Sequence, residues 1–214
     1  MTGNEPNTNG NAGLRTTRTE AFSDGVFAIA ITLLVLEIGV PAASEGDLLK
    51  ALVNQWPSYL AYLVSFSTIG AIWLKHTVIT DYLDRATAGL IRLNLLLLLV
   101  VSFLPFPTRL VGEHIRADEA ERVAVTVYGI NLLLASLVIG AMWRYAVREH
   151  LVRRDATDED VAMVGKQLVP SLAFYAVMIA LGLFAPVLAV LGYLVIALYI
   201  IVPLHALRHR KSKA

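Results

Sequence analysis

The chain contains no cysteine. That removes disulfides, thiolate nucleophiles, and zinc or iron–sulfur centres built on sulfur. Charge is scarce as well: 16% of the 214 residues are Asp, Glu, Lys or Arg, against about a quarter in soluble domains. The charges present nearly cancel, 18 Lys and Arg against 17 Asp and Glu, so there is no excess positive field to neutralise a run of phosphates, and no nucleic-acid partner is expected. Nucleophile elbow, zinc-protease helix, phosphate loop and dinucleotide fingerprint are all missing from the sequence. Neither an enzyme nor a cofactor is expected.

What the chain has in abundance is apolar length. Hydrophobic residues make up 57% of it and the mean hydropathy is +0.63, which points to an all-α polytopic membrane protein. Residues 1–14 are rich in Asn, Gly and Thr and read as a disordered tail, without the apolar core of a signal peptide. Residues 15–207 read as a six-helix transmembrane domain, and 208–214 as a basic tail resting on anionic lipid.

The spans run from about Glu20 to Val40, Trp56 to Thr80, Ala86 to Phe106 and Val123 to Arg144. The third is expected to stop at Pro105 and Pro107. A single apolar block from Leu168 to Leu204, interrupted by Gly182 and Pro186, divides into Leu168–Phe184 and Pro186–Leu204. Asp155, Asp158, Glu159 and Asp160 lack the spacing of a calcium loop and read as the acidic start of the helix entering span five.

Basic residues orient the bundle. Arg15, Arg18, Arg85, Arg144, Arg148, Arg153, Arg154, Arg208, Arg210, Lys211 and Lys213 fall on one side, and Lys50, Arg109, Arg116 and Arg122 on the other. The richer side is cytoplasmic, which places both termini in the cytoplasm of a multi-pass cell-membrane protein. An even number of spans agrees.

The first helix is the unusual one, because Asp24 is an acid within a membrane span and requires pairing or hydration. At 100° per residue, Ile29, Leu33 and Leu36 fall within about 60° of one another with Thr32 on their flank, while Ser23 and Asp24 face roughly the opposite way. An aliphatic stripe of this kind is more often a packing seam or a lipid face than a pore wall. Periodicity alone leaves the choice open.

The run Arg18-x-x-x-Phe22-Ser23-Asp24-Gly-Val-Phe-Ala-Ile-Ala-Ile-Thr-Leu-Leu-Val-Leu-Glu-Ile resembles the signature of the transmembrane-protein-175 family of lysosomal and prokaryotic potassium channels. Trp73-x-x-His76, Asn94 and Phe103-Leu-Pro105-Phe106 agree with it. The resemblance implies a homotetramer of six-helix subunits in the lipid bilayer, with the first helices lining a pore for potassium ions. It also implies the narrowest constriction at Ile29, further apolar rings at Leu33 and Leu36, and a selectivity role for Thr32. Potassium enters as the permeant ion, with no resident metal. The Thr-Val-Gly-Tyr-Gly filter is absent, so selection by rings of backbone carbonyls is not expected.

Depth gives a second inference. At 1.5 Å per residue, Asp24 and His76 lie about 6 Å, and Asn94 about 12 Å, from the cytoplasmic ends of their spans. Polar groups in lipid need partners, so a network of Ser23, Asp24, Trp73, His76 and Asn94, joined by Arg18 or Arg92, is expected behind the pore face. Its role would be to hold the first helix at a set angle. Two rivals remain: a proton- or cation-coupled secondary transporter titrating Asp24 and His76, and a membrane scaffold whose Ile29 stripe is a seam. Transporters usually carry paired broken helices in two related halves, and this sequence shows neither.

Overall fold

The computed structural model of the chain describes residues 9–39, 48–116 and 118–208, and within them every regular element is helical. Helix α1 spans Asn9–Leu33 and passes into a 3-10 turn at Leu34–Glu37. There follow α2 (Leu48–Asn54), α3 (Trp56–Asp81), α4 (Ala88–Ser102), α5 (Pro105–His114), α6 (Asp118–Arg148), α7 (Asp158–Gly182) and α8 (Pro186–Arg208). Residues 1–8 and 209–214, which hold most of the two expected tails, lie outside the described residues, as does Val40 at the C-terminal end of expected span one. Helix α1 takes in residues 9–14 of the expected tail.

Among the described residues, five stretches are long and apolar enough to cross a bilayer: Thr16–Glu37, Trp56–Asp81, Ala88–His114, Glu119–Arg148 and Asp158–Gly182. A shorter apolar helix, Pro186–Val202, accompanies them. Span three is a correction to the sequence reading. The prolines do not end it: the chain turns at Phe103 and Leu104, and α5 starts on Pro105 and continues to His114. Pro105 and Pro107 occupy the first turn of that helix, where a missing N–H removes no intrahelical bond. Span five starts earlier than its apolar run. Thr157 caps it by accepting from the Asp160 amide, and the Asp160 carboxylate accepts from the Thr157 amide in return. Asp158, Glu159 and Asp160 fill its first turn, as their charge opposite the helix dipole requires. The break between α7 and α8 falls at residues 183–185, between Gly182 and Pro186.

Helix α3 is the hub, packing against α1, α5, α6 and α8. The helices approach one another through small residues and matched hydroxyls, which replace hydrophobic drive as the source of packing energy in lipid. A Cβ on Gly129 of α6 would lie 2.6 Å from Ile179 Cγ1 of α7 and would also collide with the Tyr193 hydroxyl of α8, so only glycine admits this three-helix contact. Ser65 of α3 lies 2.7 Å from the Thr108 hydroxyl of α5 and 3.0 Å from the Tyr128 hydroxyl of α6. Thr108 donates to the Leu104 carbonyl, so Ser65 donates to Thr108 and Tyr128 donates to Ser65.

The connections after α3 and α6 are tied together. An isolated bridge joins Leu83 to Val152, with Asp84 N–H donating to the Leu151 carbonyl and Arg153 N–H to the Tyr82 carbonyl, both at 2.9 Å. Helix α6 ends at Arg148, and His150, two residues on, has a left-handed φ of 51°. Leu151 N–H returns to the Ala146 carbonyl and His150 N–H to the Val147 carbonyl, the two bonds of a Schellman cap. That position favours glycine, and a β-carbon there costs about 1–2 kcal/mol. Allowing about 0.5–1 kcal/mol for the extra unfolded-state freedom of glycine, His150→Gly is expected to stabilise the fold by about 0.5–1 kcal/mol, read as a higher thermal midpoint in detergent.

Candidate functional site: the first helix and the polar cluster behind it

Helix α1 has two faces. Phe27 and Ala30 are buried where α1 packs on α3 and α4, Leu34 is buried where the 3-10 turn packs on α3 and α5, and Ser23 continues the same seam. The opposite stripe has no cover within the chain: Ile29 is 60% exposed, Leu33 41% and Leu36 72%. The passage from α-helix to 3-10 turn sharpens the stripe. At three residues per turn Leu36 eclipses Leu33, so the two side chains stack along the helix axis. Thr32 is exposed beside them, its hydroxyl donating to the Ile29 carbonyl at 2.9 Å. The hydroxyl keeps its oxygen lone pairs facing outward, able to accept from water or touch a cation.

The polar side of α1 is fastened to α3 and α4. Ser23 Oγ donates to its own Thr19 carbonyl at 2.8 Å. It therefore accepts from Asn94 Nδ2, also at 2.8 Å. That turns the Asn94 carbonyl oxygen toward His76 Nε2, 2.9 Å away. Nε2 then carries the ring proton, and the chain His76, Asn94, Ser23, Thr19 runs with every donor pointing the same way. All three side chains are buried. Phe27 closes the apolar side of the cluster, its ring centroid 5.5 Å from that of His76. One residue along α1, Asp24 is exposed on the chain surface and accepts from the Trp73 indole at 2.8 Å.

Of the six residues expected in one network, Ser23, His76 and Asn94 are joined in a single chain, and Asp24 and Trp73 form a separate pair. Arg18 stands apart: it is exposed, and neither it nor Arg92 has a hydrogen bond or ion pair to the cluster. On a regular helix Arg18 is about 240° from Asp24, which accounts for the separation. The cavity touching His76 and Asn94 has a volume of about 20 Å³, room for a single water. Among the described residues no group of three or more His, Asp or Glu is placed to hold a metal ion.

At the C-terminal end of the first span, Leu33, Leu36 and Glu37 share a shallow cavity of about 310 Å³ with Phe103, Phe106 and Arg109. Gln55 donates to the Gly39 carbonyl, which ties the end of the 3-10 turn to the start of α3. Sequence reasoning misses one charged group, Lys75, which sits inside span two and points to α7. Its signal is the same as that of Asp24, a charge within an apolar helix.

Comparison with known proteins gives concordant results. Residues 18–105 match the family model for the endosomal/lysosomal potassium channel TMEM175. A potassium channel of Chamaesiphon minutus is 40% identical over 188 residues, 86% of this chain and 92% of the relative. A potassium channel of Streptomyces collinus is 48% identical over 132 residues, which is 61% of this chain and 64% of that relative. Among solved structures, a lysosomal potassium-selective channel TMEM175 homolog from Chamaesiphon minutus superposes with a TM-score of 0.79 at 38% identity, covering 94% of this chain and 99% of the other.

Proposed function

The chain belongs to the TMEM175 channel family, and from that premise we propose that four copies assemble around a potassium-conducting pore lined by α1. The protein is a membrane channel, not an enzyme, and its permeant ion is potassium. The observation that carries the pore reading is the uncovered stripe of Ile29, Leu33 and Leu36, opposite a face locked into the bundle. A single amphipathic helix cannot enclose a hole, whereas four copies about an axis can. In that arrangement Ile29 forms the neck, where close-packed aliphatic side chains oppose wetting. Leu33 and Leu36 form the next rings, and the Thr32 hydroxyls lie beside the neck as ligands for a partly dehydrated ion.

With Pro186–Val202 as the sixth span and Arg/Lys-rich connections inside, both termini are cytoplasmic. The buried Ser23, His76 and Asn94 act as a clamp: fixing α1 on α3 and α4, they set its rotation and hence which side chains reach the axis. The carrier reading fits less well. A titrating site needs a cavity for its substrate, and the space beside His76 holds about 20 Å³.

The experiment is cation flux from liposomes containing the purified protein, under matched potassium and sodium gradients. Passive potassium flux without a coupled ion is the expected result. Potassium movement only when a proton gradient is imposed would overturn the channel reading.

A further inference from the structure

Beyond conduction, α3, α7 and α8 enclose a cavity of about 680 Å³ that the pore does not use. Most of its wall is apolar, from Val78, Ile79, Met163, Phe174, Ile196 and Ile200. Into it projects Lys75, whose ammonium donates to Ser171 Oγ at 2.9 Å, while Ser171 passes its own proton to the Leu168 carbonyl. Among the described residues no carboxylate lies within ion-pair distance of Lys75. The charged lining is completed by Lys166 and Glu159, two cations against one anion. Lys75 is about 160° around α3 from Trp73, so this site is separate from the polar cluster on α1.

A cation in a mostly apolar chamber, with no carboxylate within ion-pair distance and cations outnumbering the one anion of the lining, is complementary to an amphiphile with an anionic head. The bilayer supplies one at high concentration. Lys75 lies six residues before the end of α3 at Asp81, about 9 Å along the axis, a depth from which a lysine reaches headgroup level by snorkelling. Met163, Phe174 and Tyr199 are exposed at the cavity edge, where lipid chains run. We propose that this cavity binds an anionic phospholipid from the leaflet bordering the α7 N-terminus, its phosphate on Lys75 and an acyl chain against Phe174 and Ile196. An occupant there wedges α7 and α8 against the hub helix. The proposal stands independently of the pore assignment.

The test is the thermal midpoint of the full-length protein in detergent, with added phosphatidylglycerol, phosphatidylcholine or inorganic phosphate. Phosphatidylglycerol is expected to raise the midpoint of the wild type, with phosphatidylcholine and phosphate well behind. Lys75→Met and, separately, Ala162→Trp, which fills the cavity without touching the lysine, are each expected to abolish that difference. Midpoints without lipid report whether each variant folds, and either folded variant is decisive. An equal shift from both lipids, a shift reproduced by phosphate alone, or a full phosphatidylglycerol response in a folded variant would overturn the proposal.

Discussion

Ile29→Asn is expected to raise potassium flux through reconstituted protein by about tenfold and to bring potassium and sodium rates closer together. Tenfold corresponds to about 1.4 kcal/mol at the barrier, a modest share of what removing an aliphatic side chain from a dewetted neck changes in each subunit. The amide supplies donors and acceptors where the isoleucine offers none, so water and either cation pass more easily. Stability should barely move, since Ile29 is 60% exposed in the chain and contributes little to the packing of α1 on α3 and α4. Unchanged flux and selectivity in a folded variant would remove Ile29 from the neck.

Asn94→Leu is expected to act in the opposite manner, through the clamp. Leucine fills the space but leaves the His76 Nε2–H without an acceptor and Ser23 Oγ without its donor, both buried. Unsatisfied buried groups cost about 1–3 kcal/mol each. In membranes, where broken partners find replacements, measured values are nearer 0.6 kcal/mol, and a loss of about 1–2 kcal/mol in total is the expectation. It should appear as a lower thermal midpoint together with altered conduction, because α1 is then free to turn. Trp73→Phe, which deletes only the surface hydrogen bond to Asp24, should cost less. A midpoint equal to wild type in Asn94→Leu would mean that the donor chain carries no weight.

The legible parts of this fold are those with one physical reading. Trp56-Pro57 opens α3 at the residue expected, the Gly182 to Pro186 interval breaks the long apolar block, and the acids after Thr157 start a helix. Similar depth in lipid, where polar groups must find one another, pointed to Asp24, His76 and Asn94, and the bonded partner of Asn94 is Ser23, the neighbour of Asp24. Pro105 and Pro107 misled because proline both ends one helix and begins the next, and only the chain direction at Phe103 decides. The Ser65, Thr108 and Tyr128 hydroxyl cluster left no trace, since hydroxyls on apolar helices also bond to their own backbone. The change to 3-10 at Leu34 is likewise invisible in a run of aliphatic residues. The outward stripe on α1 follows from periodicity; its meaning as a pore wall came from family resemblance.

The absence of cysteine makes the central claim directly measurable. Single cysteines at Ile29, Leu33, Leu36 and Val35 would be exposed to a cationic methanethiosulfonate reagent while potassium flux from liposomes is followed. Val35 is the control, since it is 54% exposed in the chain yet about 240° from Leu33 along the 3-10 turn. The account predicts that modification blocks flux at positions 29, 33 and 36 and leaves it unchanged at 35. Block at Val35, or full flux after modification of Ile29→Cys confirmed by mass, would contradict a pore lined by this face of the first helix.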